Sequence, residues 1–227
     1  RYLYRQNDLL RRFALGNVRQ LLKEITIDPA MLRYLNGNTN TKTQVNENYG
    51  RELQELFTIG KGPEISVGNY TNYTEQDVRA AARVLTGWAD DAETVTSRFV
   101  PENHVTEDKQ FSSAYQNKVI RGKSGADGAQ ETDELLDMIF SQTETAKFFC
   151  RKLYSWFVST EIDETIETQV ITELANTLRA SNWEIKPVLT LLFRSQHFFD
   201  MNNAGSMVKS PIDLVVSTVN YFRKYLT

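Results

Sequence analysis

The stretch Asn46–Gly60, NENYGRELQELFTIG, followed after a glycine-bearing loop by Tyr73–Trp88, YTEQDVRAAARVLTGW, decides the reading of this chain. In the first half Tyr49, Leu53, Leu56 and Phe57 recur at helical spacing and define one apolar stripe. Asn48, Glu52 and Glu55 form a polar stripe beside it, and Gly60 is placed to end the helix. In the second half Thr74-Glu75-Gln76-Asp77 reads as a capping box, with Asp where Glu or Gln is more usual. Val78, Ala81, Ala82 and Leu85 then supply the buried face of a helix that Gly87 closes. Two helices joined by a polar loop, with charged side chains beside a core face, make this the keystone of a mainly α, multi-helix fold.

Working outward, residues 7–24 carry helical apolar spacing that Gly16-Asn17 divides in two. Asp28-Pro29 is a start signal, Asp as N-cap and Pro in the first turn, for a short helix that stops at Asn36-Gly37. About residues 89–128 lie in an irregular insertion whose β-like runs, Thr94–Val100 and Lys118–Ile120, suggest a short β-hairpin. Helices resume over about Gln130–Phe140, then from a capping box at Ser141–Glu144 to about Val158, then over Thr165–Arg179. Pro187 opens a further helix through Phe193, and Ser210-Pro211 opens the last, to about Tyr225. Residues 1–227 read as one α-helical domain.

The 227 residues suffice to bury a sizeable core, and 41% hydrophobic with 24% charged content is ordinary for a globular chain. A net charge of −3 argues against a broad phosphate-binding surface, so nucleic acid is not an expected partner. Lys147, Arg151 and Lys152 read as the solvated face of a buried helix. No run approaches the ~20 apolar residues of a membrane span. The single cysteine excludes an internal disulfide framework, and with two histidines a His-rich metal site is excluded as well. Cys150 falls on the core stripe Ala146, Phe149, Cys150, Leu153 and reads as packed and inert. His197, at a helix end, reads as a cap.

The opening stretch resembles the bacterial domain-of-unknown-function family 1800, through its pattern NENYxRELxELxTLG and YTExDVxxxARxLTGW. The likeness continues at Phe99–His104 and Lys109–Phe111, at Thr145–Tyr154 with Phe157–Ser159, and at Val208–Pro211. The resemblance implies the C-terminal part of the usual family domain, an exported bacterial protein of periplasm or cell surface, and another exported bacterial protein as partner. The chain departs from the family where many members read His-Asp and this one reads His104-Val105, with Glu107 near a usual Gly.

Two functional readings follow. The leading one is a structural or binding module, since no complete catalytic constellation stands in the sequence. The alternative is a hydrolase-like or metal-dependent enzyme using Glu52, Glu55 and His104 as catalytic groups, with Asn48, Arg83, Asp108 and Lys109 contacting ligand. Paired carboxylates beside an apolar stripe suit acid–base work, or hold a hard divalent cation such as calcium or magnesium. The plain structural reading of the same residues pairs Arg51 with Glu55 and Arg83 with Glu52, locking the two helices together.

Overall fold

The computed structural model describes residues 1–223. Among the described residues the chain forms eleven α-helical segments, and each starts or stops where local chemistry dictates. Tyr2–Arg12 (α1) and Val18–Thr26 (α2) are separated at Gly16-Asn17, and Asn17 caps α2 by accepting from the Gln20 N–H at 3.0 Å. Asp28 caps Pro29–Tyr34 (α3) by accepting from the N–H groups of Ala30 and Met31, each at 3.0 Å. Asn36 then turns the chain in the left-handed region at φ 58°.

Asn48–Glu52 (α4) departs from a regular helix after one turn. Leu53–Thr58 continues it as a π-helical turn, with the Thr58 hydroxyl donating to the Leu53 carbonyl at 2.5 Å and the Ile59 N–H to Gln54 O at 3.1 Å. The wider turn rotates everything after Leu53 away from its α-helical azimuth. Glu75–Val84 (α5) follows, with the capping box formed in full by Thr74 and Asp77. α4 crosses α5 at Gly50. A Cβ there would stand 3.0 Å from Ala82 N and 3.3 Å from Val78 O, so the crossing needs a residue without a side chain. Gly50→Val is therefore expected to lower the unfolding free energy by about 1–3 kcal/mol, the usual range for overpacking, measured by chemical denaturation.

The insertion holds two antiparallel hairpins. Each predicted β-like run finds a different partner. Thr96–Phe99 (β4) pairs with Trp88–Asp91 (β3), and Val119–Ile120 (β6) pairs with Lys109–Gln110 (β5). A further hairpin, Glu64–Ser66 (β1) with Asn69–Tyr70 (β2), lies between α4 and α5. Such short strands, two to four residues each, are fixed by the body they pack on rather than by a strand pattern.

Gln130–Ser141 (α6) and Thr143–Phe157 (α7) form the centre of the second half. The expected capping box at Ser141 does not form, because the Ser141 hydroxyl donates back to Met138 O at 2.6 Å and closes α6 instead. Asp163 caps Glu164–Ile166 (α8), which runs through a second π-turn, Glu167–Ile171, into Thr172–Ala180 (α9). Ile185–Arg194 (α10) starts two residues before Pro187. Pro211–Arg223 (α11) buries none of its residues, and the expected end of this helix at Tyr225 lies outside the described residues.

One apolar cluster joins these pieces. Leu53, Tyr73, Val78 and Ala81 of the keystone pack with Phe111 and Ile120 of the insertion and with Leu135, Ile139, Cys150, Leu178 and Leu192 of the later helices. Each fully buried large aliphatic side chain contributes about 1.5–3 kcal/mol. Burial pushes the Cys150 thiol up to about 12, in keeping with a packed, unreactive cysteine. Among the described residues no helix is long and apolar enough to cross a membrane.

Candidate functional site

The insertion is anchored by a buried charged network that connects three elements. The 3₁₀ turn Pro101–Asn103 delivers His104, β5 supplies Lys109, and the first turn of α6 supplies Glu131. Their exposures are 2%, 1% and 0%. The His104 Nε2–H donates to Glu131 Oε1 at 3.1 Å, and its Nδ1 faces the Thr86 carbonyl at 2.9 Å and the Thr86 hydroxyl at 3.1 Å. The Lys109 ammonium donates to Glu131 Oε2 and to the Val105 carbonyl, each at 2.5 Å. The Lys123 backbone N–H adds a third donor to Glu131 at 2.7 Å. Thr86 accepts from the Val105 N–H at 2.9 Å and donates to Arg83 O at 2.8 Å, so the end of α5 is tied in as well.

Glycine permits this approach. A Cβ on Gly128 would lie 2.7 Å from His104 Cδ2 and 2.9 Å from Phe99 Cζ, so the turn before α6 can lie flat against the imidazole only without one. Phe99 stacks edge-on against His104 with centroids 5.2 Å apart.

Burial alone pushes the Glu131 carboxyl up, but hydrogen bonds from His104, Lys109 and the Lys123 N–H outweigh it and hold the group below the usual carboxylate range. Burial pulls the Lys109 ammonium down from its ordinary value, and Glu131 offsets only part of that. The two directions pull apart over whether the pair is charged. Geometry decides for the ion pair, because Nζ lies 2.5 Å from two acceptors, a carbonyl and a carboxylate, and an ammonium satisfies both.

Beside this network opens a cleft of about 440 Å³, walled by Lys42, Thr43, Arg83, Val105, Thr106 and Glu107, with His104 contributing to its lining. Lys109 and Glu131 do not line it.

The remaining predicted site residues fall elsewhere. Glu55 accepts from Tyr73 Oη at 3.1 Å and pairs with Lys61 at 2.8 Å, not with Arg51. Arg51 instead forks onto Glu75, at 2.5 and 2.8 Å, with Glu47 at 3.3 Å. Arg83 meets Glu107 at 3.5 Å rather than Glu52, and Glu52 makes no ion pair or hydrogen bond through its side chain among the described residues. The π-turn accounts for part of this: it begins just after Glu52, so Glu55 is rotated off the stripe that α-helical spacing assigns to both. Neither carboxylate lines the cleft. Asn48 is exposed, and Asp108 is turned outward onto Arg121 and the Gly122 N–H. His197 does not cap α10, and its Nε2 meets Tyr154 Oη at 2.9 Å. On α7, Arg151 is held by Glu144 and Glu167, and Lys147 lies 3.7 Å from Glu167. Among the described residues no three His, Cys, Asp or Glu side chains gather as a metal site.

Glu131 is the site residue that the sequence reading passed over. A signal was present: Glu131, Leu135 and Ile139 repeat every fourth residue, which puts the carboxylate on the buried face of α6. The residue next to His104 is Val105, and the carboxylate on the His104 ring comes from 27 positions downstream.

Among comparisons with known proteins, one family pattern, Protein of unknown function (DUF1800), matches residues 1–226. No curated protein and no solved structure matches the chain.

Proposed function

The chain belongs to the DUF1800 family of proteins of unknown function, and from that premise we propose that it is a non-catalytic binding module of an exported bacterial protein, with the cleft beside His104 as its binding face. The observation that supports this most is the closure of the buried network. A general acid or base must come within hydrogen-bond reach of a reacting atom. Here both Glu131 oxygens are taken by three donors, and Lys109 is spent on Glu131 and Val105 O. Glu52 and Glu55 do not join His104 in the cleft. The exported setting, and another exported bacterial protein as partner, rest on the sequence resemblance.

A second reading, the hydrolase-like or metal-dependent enzyme, has one observation in its favour: His104 does contribute to the cleft lining. The two readings separate on His104→Gln. For a binding module the variant is expected to lose about 1–3 kcal/mol of stability, the range for a buried polar group left unsatisfied. Wild type and variant should be equally without turnover of ester, amide, glycoside and phosphodiester substrates, with or without added divalent cation. Turnover by the wild type that disappears in His104→Gln, Glu52→Gln or Glu55→Gln at unchanged melting temperature overturns the module reading.

A further inference from the structure

Arg83 is the under-used group of the cleft. Its Nε is buried and meets no acceptor among the described residues. Its one ion pair, Nη2 to Glu107 Oε2, is 3.5 Å long, well beyond the roughly 2.7–2.9 Å of a charge-assisted hydrogen bond. Nε and Nη2 form one edge of the guanidinium, with two parallel N–H vectors spaced to match the two oxygens of a carboxylate. That edge is therefore approached by a carboxylate but not engaged by it. Glu107 is free to move, since its side chain is 73% exposed.

The surroundings favour an anion. Lys42 stands in the same cleft, held by its backbone N–H on Asn103 O at 2.8 Å. Against Arg83 and Lys42 stands Glu107, which is displaceable, while the buried Lys109–Glu131 pair cancels in charge. The volume of about 440 Å³ falls within the roughly 300–1,000 Å³ of small-ligand sites.

We propose that this cleft binds a carboxylate group, taken bidentately by the Nε and Nη2 edge of Arg83 in the place that Glu107 now approaches. The inference deepens the binding-module reading and rests on the same cleft. A carboxylate fits better than a phosphate for two reasons. One planar fork satisfies two coplanar oxygens, whereas a dianion calls for more donors. Arg83 also sits in the last turn of α5, where the helix dipole is negative and penalises a second negative charge.

The test follows the Arg83 Nε–H resonance by ¹⁵N NMR in the full chain at constant ionic strength. The titrants are acetate, N-acetyl-alanyl-alanine and its C-terminal amide, inorganic phosphate, and chloride as control. Saturable shifts with acetate and the peptide acid, and none with the amide or chloride, are expected. A peptide acid at least tenfold tighter than acetate identifies a polypeptide C-terminus as the source, and equal binding identifies a small organic acid. Arg83→Lys, which keeps the charge and loses the fork, should weaken binding by about tenfold. Glu107→Ala, on an exposed side chain, should strengthen it several-fold by removing the competitor.

Saturation by phosphate alone, equal shifts with chloride, or Glu107→Ala that leaves carboxylate binding unchanged or weaker each overturns the proposal. Absence of carboxylate binding in a protein that also lacks turnover refutes this inference and leaves the module reading standing. Carboxylate binding in a protein that shows His104-dependent turnover does the reverse.

Discussion

Glu131→Leu is expected to lower the unfolding free energy by about 3–5 kcal/mol, the range for breaking a buried ion pair from one side. Three groups lose their acceptor at once: the Lys109 ammonium, the His104 Nε2–H and the Lys123 N–H. The first two are too deeply buried for water to replace what they lose, at 1% and 2% exposure. The attraction between α6's N-terminal dipole and a first-turn carboxylate goes as well, adding about 0.3–1 kcal/mol. Urea unfolding measures the loss, and the double variant Glu131→Leu/Lys109→Met should recover at least half of it, because no buried charge is then left alone. Full additivity of the two single effects would show that the pair is not coupled and would sink the account.

The pH dependence carries the sign of the same pair. Glu131 has its folded pKa depressed, so its stabilising contribution is fully present above the unfolded carboxyl value of 4.5 and is lost as pH falls from there through the folded value. Glu131→Leu should therefore show a shallower loss of stability below about pH 4.5. The slope should not vanish, since Glu75, Glu167 and Asp90 are also held below their ordinary range by their cationic partners, Arg51, Arg151 and Arg33 respectively. Lys109 acts in the opposite sense. Burial depresses its folded pKa, so the charged lysine weighs against folding at neutral pH, and that penalty is relieved only as pH rises toward its unfolded value of 10.5.

The helices were legible because each announced itself locally. Asp28-Pro29 and the Thr74–Asp77 box put a start signal directly before an apolar periodicity, and both caps form as read. The Ser141–Glu144 box failed because a hydroxyl at a helix junction has two uses, and closing α6 through Met138 O won over opening α7. The candidate site was half legible. His104 and Lys109 were singled out for lying in an irregular segment, yet their spacing carries no period and so no hint of a shared partner. Glu131 was hidden in a helix whose first turn, Gln-Glu-Thr-Asp-Glu, looks solvated until its register with Leu135 and Ile139 is followed. The pairing of Arg51 and Arg83 was misread for a different reason. Helical spacing names which carboxylates are near along one element, but Glu75 and Glu107 reach these arginines across loops of unpredicted course.

Asp77→Ala is expected to lose about 2–4 kcal/mol, whereas Thr74→Ala loses only about 1 kcal/mol, the usual worth of an N-cap. The difference arises because Asp77 does more than complete the capping box. Its Oδ2 accepts from the Thr74 N–H at 2.7 Å, as a box requires, and also from the Thr74 hydroxyl at 2.9 Å. The same carboxylate accepts from the Ser112 N–H and hydroxyl, each at 2.7 Å, and so fastens the insertion onto the N-terminus of α5. Asp77 is 0% exposed and Ser112 8%, which leaves both donors without water when the carboxylate is removed. An aspartate reaches both partners because it is one carbon shorter than the usual glutamate and keeps its oxygens between the two backbones. Asp77→Glu is accordingly expected to destabilise as well, although it restores the commoner residue at that box position. Hydrogen exchange of the Ser112 amide separates the two contributions: it should accelerate in Asp77→Ala and stay protected in Thr74→Ala. Equal losses from both single variants, with Ser112 protected in each, would reduce Asp77 to a cap and leave Thr86, at the other end of α5, as a tie to the insertion that carries His104.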